Sequence, residues 1–88
     1  MSTLLGEIVL YTITGEDVRA IEELVPRING AGRTNLNPPH VGDQYPALVV
    51  RDNGSSLNLK VQLDGGADAA YWATSRAEGD ELGQWRRR

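Results

Sequence analysis

The chain has no cysteine, no phenylalanine and only one histidine among its 88 residues. The missing thiols exclude a disulfide framework, a thiolate zinc site and a cysteine nucleophile. A single histidine, His40, has no HxH or HxxxH partner, so a histidine metal site is not expected. No apolar run approaches the roughly 20 residues that a membrane-spanning helix needs. The start, MSTLLGEIVLY, lacks the basic region and cleavage site of a signal peptide. Cations are outnumbered, nine against 12 carboxylates, and the net charge is −3. That balance argues against general nucleic-acid binding, which usually shows a basic field. No GxSxG, Walker loop or GxGxxG is present, and nothing orders His40 as a base for Ser55, Ser56 or Ser75. No catalysis, cofactor or metal is therefore expected.

What is there is one small domain, residues 1–88. A chain of this size buries only about 60–65% of its unfolded surface, so oligomerisation is an expected supplement. Ile8, Val9, Leu10, Tyr11 and Ile13 are strand formers with little polar interruption. Thr14 then suits a helix N-cap, with Asp17 three residues on in the manner of a capping box. Val18, Ile21, Leu24, Val25 and Ile28 recur at helical spacing. Pro26 costs about 3 kcal/mol inside a helix, which predicts that the regular helix ends near Leu24 or Val25, or continues as a kinked or short extra turn to Asn29.

Gly30, Gly32, Pro38 and Pro39 make 29–44 a long loop, and such loops are often functional. Ala47 to Arg51 predicts a second strand, and Asn53-Gly54 is a strong hairpin signal. Leu57, Leu59, Val61 and Leu63 alternate with Asn58, Lys60, Gln62 and Asp64, the pattern of a strand with one apolar face. Asp64-Gly65-Gly66 turns the chain into a fourth strand, AAYWATSR. QWRRR predicts a short fifth strand or a tail docked through Trp85. The expected fold is α+β and mainly β: a small curled antiparallel sheet, like an SH3-type barrel, with one helix after the first strand.

Alternation places Trp72 with Ala70 and Thr74 on one face of the fourth strand, and Tyr71, Ala73 and Ser75 on the other. One aromatic must turn away from the main core. It is either covered by a curled sheet or an oligomer, or offered as a stacking platform. Asn58, Lys60 and Gln62 suit that same outer face. Arg27 and Arg33 flank the Gly-rich loop, whose free backbone donors would help them hold an anion. Arg51 and Arg76 read as solvated surface residues.

The segments EIVLYTITGEDVRAI, NPPHVGDQYPALVVR, VQLDGG and YWATSRAEGDELGQW, in this order and spacing, resemble a family of small, mostly unannotated proteins of tailed phages and prophages. The chain departs from that pattern at IEELVPRING, where the family carries an Arg cluster. It departs again at Trp85-Arg86-Arg87-Arg88, where the family reads Trp-His-Trp-Pro. The resemblance implies a phage accessory protein acting in the host cytoplasm, or in the virion if it is a structural part. The expected function is a non-enzymatic, homo-oligomeric anti-defence sponge for a small anionic nucleotide-like signal. Trp72 or Trp85 would stack on its base, Arg27 and Arg33 would meet phosphate, and His40, Gln62 and Thr74 would add polar contacts. The alternatives are a virion decoration or connector protein and an inhibitor that binds a host protein. No membrane partner is expected.

Overall fold

A computed structural model describes residues 3–29, 36–66 and 69–88, without the side chains of 25–29. Five strands and one helix follow in the order β1 (Ile8–Thr12), α1 (Gly15–Asn29), β2 (Gln44–Asp52), β3 (Leu57–Gln62), β4 (Ala70–Arg76) and β5 (Trp85–Arg87). They form one antiparallel sheet ordered β4-β3-β2-β1-β5. The chain meanders through β1 to β4 and then returns to the free side of β1. The ladders leave the sheet open, with β4 and β5 as its edges, so they do not close the expected barrel.

One face of the sheet makes the core. Val9 and Tyr11 of β1, Ala47 and Val49 of β2, Leu57, Leu59 and Val61 of β3, Ala73 of β4 and Trp85 of β5 are all buried. Ile21 of α1 joins them, with Ile13, Leu36, Leu63 and Ala69 from the flanking segments. The alternation of β3 is therefore used as its pattern demands: odd residues inward, with Lys60 and Gln62 exposed.

Thr14 caps α1 as the sequence suggests. Asp17 N–H donates to Thr14 Oγ1 at 2.9 Å, and Thr14 N–H donates back to Asp17 Oδ2 at 3.0 Å. The helix then runs through Pro26 to Asn29, the longer of its expected ends. The carbonyl that Pro26 deprives of a donor belongs to Glu22, an exposed residue that is open to solvent.

The β2–β3 connection closes with Asn53 N–H on Ser56 O at 2.9 Å, and Gly54 takes the φ of +90° that the turn requires. Two irregularities re-aim side chains. Val49 pairs with Leu59 but Arg51 with Asn58, which leaves Val50 as an extra residue on β2. Opposite β3, Leu59 pairs with Ala73 but Leu57 with Arg76. There Ser75 adopts a left-handed φ of 56°, held by its N–H on Asn58 Oδ1 at 2.9 Å. The extra residue turns Arg76 inward.

Candidate functional site: the outer face of the sheet

Residues paired across strands share a face. Ile8 pairs with Leu48, Leu48 with Lys60, and Lys60 with Trp72, so these four make one row across β1 to β4 on the face away from α1. Leu10 pairs with both Pro46 and Arg86, and Gln62 with Ala70, to make the next row. Arg51, opposite Asn58, belongs to the same face because of the bulge at Val50.

No element covers this surface among the described residues. Ile8, Leu48 and Val50 are exposed at 37%, 38% and 42%, and Trp72 at 65%. Val50, Lys60, Ala70, Tyr71 and Trp72 line an open groove of about 280 Å³. A contiguous apolar surface of this kind marks a binding site more often than scattered exposed side chains do.

The charge on this face differs from that of the whole chain. Lys60, Arg51 and Arg86 are exposed on it. Asp52 is the one carboxylate carried by the five strands. It pairs with Leu57 on the opposite side and accepts hydrogen bonds from Leu4 N–H and Gly54 N–H, both at 2.9 Å. Those two donors hold its carboxyl below the usual carboxylate range. Other carboxylates lie in the helix or beyond strand ends, as Glu7, Asp43 and Asp64 do.

The inner face carries the chemistry that local sequence did not reveal. Asp17 is 1% exposed and saturated by donors. Tyr11 Oη (2.5 Å) and Thr14 N–H (3.0 Å) reach Oδ2, while Tyr71 Oη (2.6 Å) and Arg76 Nη2 (3.3 Å) reach Oδ1. Burial alone would raise the Asp17 pKa, but the hydrogen bonds from Tyr11, Tyr71 and Thr14 outweigh it and hold the carboxyl below its ordinary value. The Arg76 guanidinium also lies 5.6 Å from the centre of the Tyr11 ring. Its Nε is the buried side-chain atom without a partner among the described residues. Arg76 is thus a half-buried partner of the buried Asp17 rather than a free surface cation.

The structure brings together three of the residues singled out from sequence. Gln62, Trp72 and Thr74 are exposed on the outer strands β3 and β4, and the Gln62 amide is anchored to Leu63 O (3.0 Å) and Ala69 O (3.1 Å). Trp85 is not with them. It is 5% exposed in the core, with its indole N–H on Arg76 O at 3.0 Å, so it presents no ring face to a ligand. His40 stands exposed in the loop before β2, and its contacts are with Asp43, 3.8 Å from Nδ1. Arg33 and the side chain of Arg27 lie outside the described residues.

Sequence reasoning did not place Arg86, Leu48 and Ile8 on this face, and it weighed Arg51 only as a scattered cation. The face of Arg86 follows from the pairing of β5 with β1, which nothing local encodes, and nothing local marks the bulge that turns Arg51 outward. No helix among the described residues is long and apolar enough to cross a membrane. Comparison with known protein families, characterised proteins and solved structures found no match.

Proposed function

We propose that the chain is a non-enzymatic binding protein of phage origin. It sequesters a small, flat, anionic ligand of nucleotide kind on the outer face of its sheet, in the host cytoplasm. The observation that carries this reading is Trp72: a large ring, 65% exposed, with Lys60 directly across the ladder and an apolar groove beside it. An aromatic face stacks on a base, and the ammonium neutralises its phosphate. Gln62 and Thr74 supply nearby polar contacts. A capturing rather than catalytic role is supported by Asp17, whose four donors leave it no capacity to act as a base.

An SH3-like curl belongs to the same proposal. The indole N–H bond to Arg76 O, Trp85 N–H on Ala77 O (3.1 Å) and Gly79 N–H on Trp85 O (2.9 Å) draw the two edge strands together at one end. A second reading, a decoration or connector protein of the virion, is favoured by the exposed apolar row Ile8, Leu48, Val50 and Trp72. It makes a protein surface the occupant.

Thermal unfolding in the presence of mononucleotides, cyclic nucleotides and cyclic ADP-ribose isomers distinguishes the two. A ligand at 100 times its Kd stabilises by about 2.7 kcal/mol, which raises Tm by about 10 °C or more in a domain of this size. Trp72→Ala is expected to abolish the shift while leaving the unliganded Tm unchanged, and heat-released ligand is expected to be chemically intact. No shift with any member, together with the protein in purified virions, would favour the decoration reading.

A further inference from the structure

A single nucleotide occupies only part of the outer face. Lys60 adjoins Trp72, but Arg51 lies on β2 and Arg86 on β5. From β4 to β5 there are four strand spacings, ~19 Å along the sheet at ~4.8 Å each. A mononucleotide holds its phosphate one sugar away from its base, so it does not engage Trp72 and Arg86 together. We propose that the outer face binds a segment of single-stranded nucleic acid, with a base stacked on Trp72, phosphates near Lys60 and Arg51, and a phosphate further along the strand at Arg86. The inference rests on the reading of Trp72 as a stacking platform.

Three features favour this occupant. The face is cationic in an acidic protein, and no carboxylate points from a strand into it. That segregation gives an attraction to a repeating anion which the net charge of −3 conceals. Between the cations lie apolar side chains: Val50, Leu48, Ile8 and Leu10. A sheet backed by a helix and faced with an aromatic and apolar groups is the kind of surface on which unstacked bases lie. A duplex hides its base faces and gains nothing from Trp72.

A second copy of the chain fits less well. Two-fold pairing of this face would set Lys60, Arg51 and Arg86 against their own counterparts with no facing carboxylate. The polar groups beside Trp72, Gln62 and Thr74, are few, so base preference is expected to be weak. Glu7, Asp43 and Asp64 beyond the strand ends limit the anion's path to the middle of the sheet.

The test is fluorescence anisotropy with thymidine monophosphate and labelled oligothymidylates, from the dinucleotide to about 16 nucleotides. Affinity is expected to rise with length until the face is filled and then level off. Three phosphate contacts predict that log K falls with log salt at a slope of about −2. Trp72→Ala should weaken all lengths by about 10- to 100-fold with the far-UV circular dichroism unchanged. The double variant Arg51→Gln/Arg86→Gln should leave the mononucleotide's affinity alone and flatten the oligonucleotide slope to about −0.7.

Trp72-dependent mononucleotide binding with no gain from length overturns this inference and leaves the nucleotide-capture reading standing. Poly-glutamate competing as well as oligothymidylate also overturns it, in favour of an acidic protein surface. Absence of binding by thymidine monophosphate and oligomer alike overturns this inference, and overturns the nucleotide-capture reading as well where the cyclic ligands also fail to bind.

Discussion

Asp17→Ala is expected to cost about 3–5 kcal/mol, because it leaves a half-buried guanidinium, the buried Tyr11 hydroxyl and the half-buried Tyr71 hydroxyl without their acceptor. Arg76, Tyr11 and Tyr71 all converge on that one carboxylate, and the N-cap of α1 closes through it as well. A domain of this length has about 4–13 kcal/mol in total. The variant should therefore melt about 15 °C lower or more, or fail to fold. Urea unfolding of the wild type and of Asp17→Asn gives the scale if Asp17→Ala does not fold. Asp17→Asn keeps the shape but loses the charge facing Arg76, and should fall between the two. A loss below about 1 kcal/mol for Asp17→Ala would mean that the network is not formed.

The same network sets the pH limits. Asp17 has a lowered folded pKa, so its contribution is present above the ordinary carboxylate value and is lost as pH falls through the lower one. Tyr71 is pushed up to about 12 by burial and by its bond to Asp17, and Tyr11 is raised further for the same reasons. Their contribution is complete below the ordinary tyrosine value, about 10, and is lost as pH rises through the folded values. Tyr45 is raised too, by burial and the neighbouring Asp43. Ultraviolet titration should find the tyrosine midpoint displaced above pH ~10 while the fold persists.

Trp85→Ala should cost a similar amount, about 3–5 kcal/mol, by opening a large cavity. It also removes the indole N–H that ties β5 to Arg76 O. β5 is three residues long and pairs only with β1 among the described strands, so its loss bares the β1 edge at Val9–Tyr11. An unpaired apolar edge invites aggregation, which sedimentation would detect alongside the lowered Tm. Trp72→Ala is the contrast: a truncation at an exposed site that should leave stability within about 0.5 kcal/mol. Equal losses at the two tryptophans would contradict their assignment to opposite sides of the sheet.

The two tryptophans also show where sequence is legible. Alternation along YWATS was enough to put Trp72 opposite Tyr71, and along LNLKVQL to put Lys60 and Gln62 outward. Trp85 had no such pattern, since its burial depends on β5 returning to β1, a pairing of residues far apart in the chain. Asp17 was readable as a local cap. Its second role was not, because Tyr71 and Arg76 come from 54 and 59 residues further on. The inward turn of Arg76 and the outward turn of Arg51 both follow from irregular registers that no two-residue period encodes. Pro26 left two helix ends open, and the longer one, at Asn29, is the one adopted. The net charge, a sum over the chain, carries no information on which face holds the cations.

Amide chemical-shift mapping during titration with a bound nucleotide or oligothymidylate tests the outer-face site most directly. The site described here predicts shifts at Leu48, Val50, Lys60, Gln62 and Trp72, including the Trp72 indole N–H, while the Trp85 indole N–H and His40 stay in place. Shifts centred on the His40 loop or on Trp85, with Lys60 and Trp72 unmoved, would contradict it.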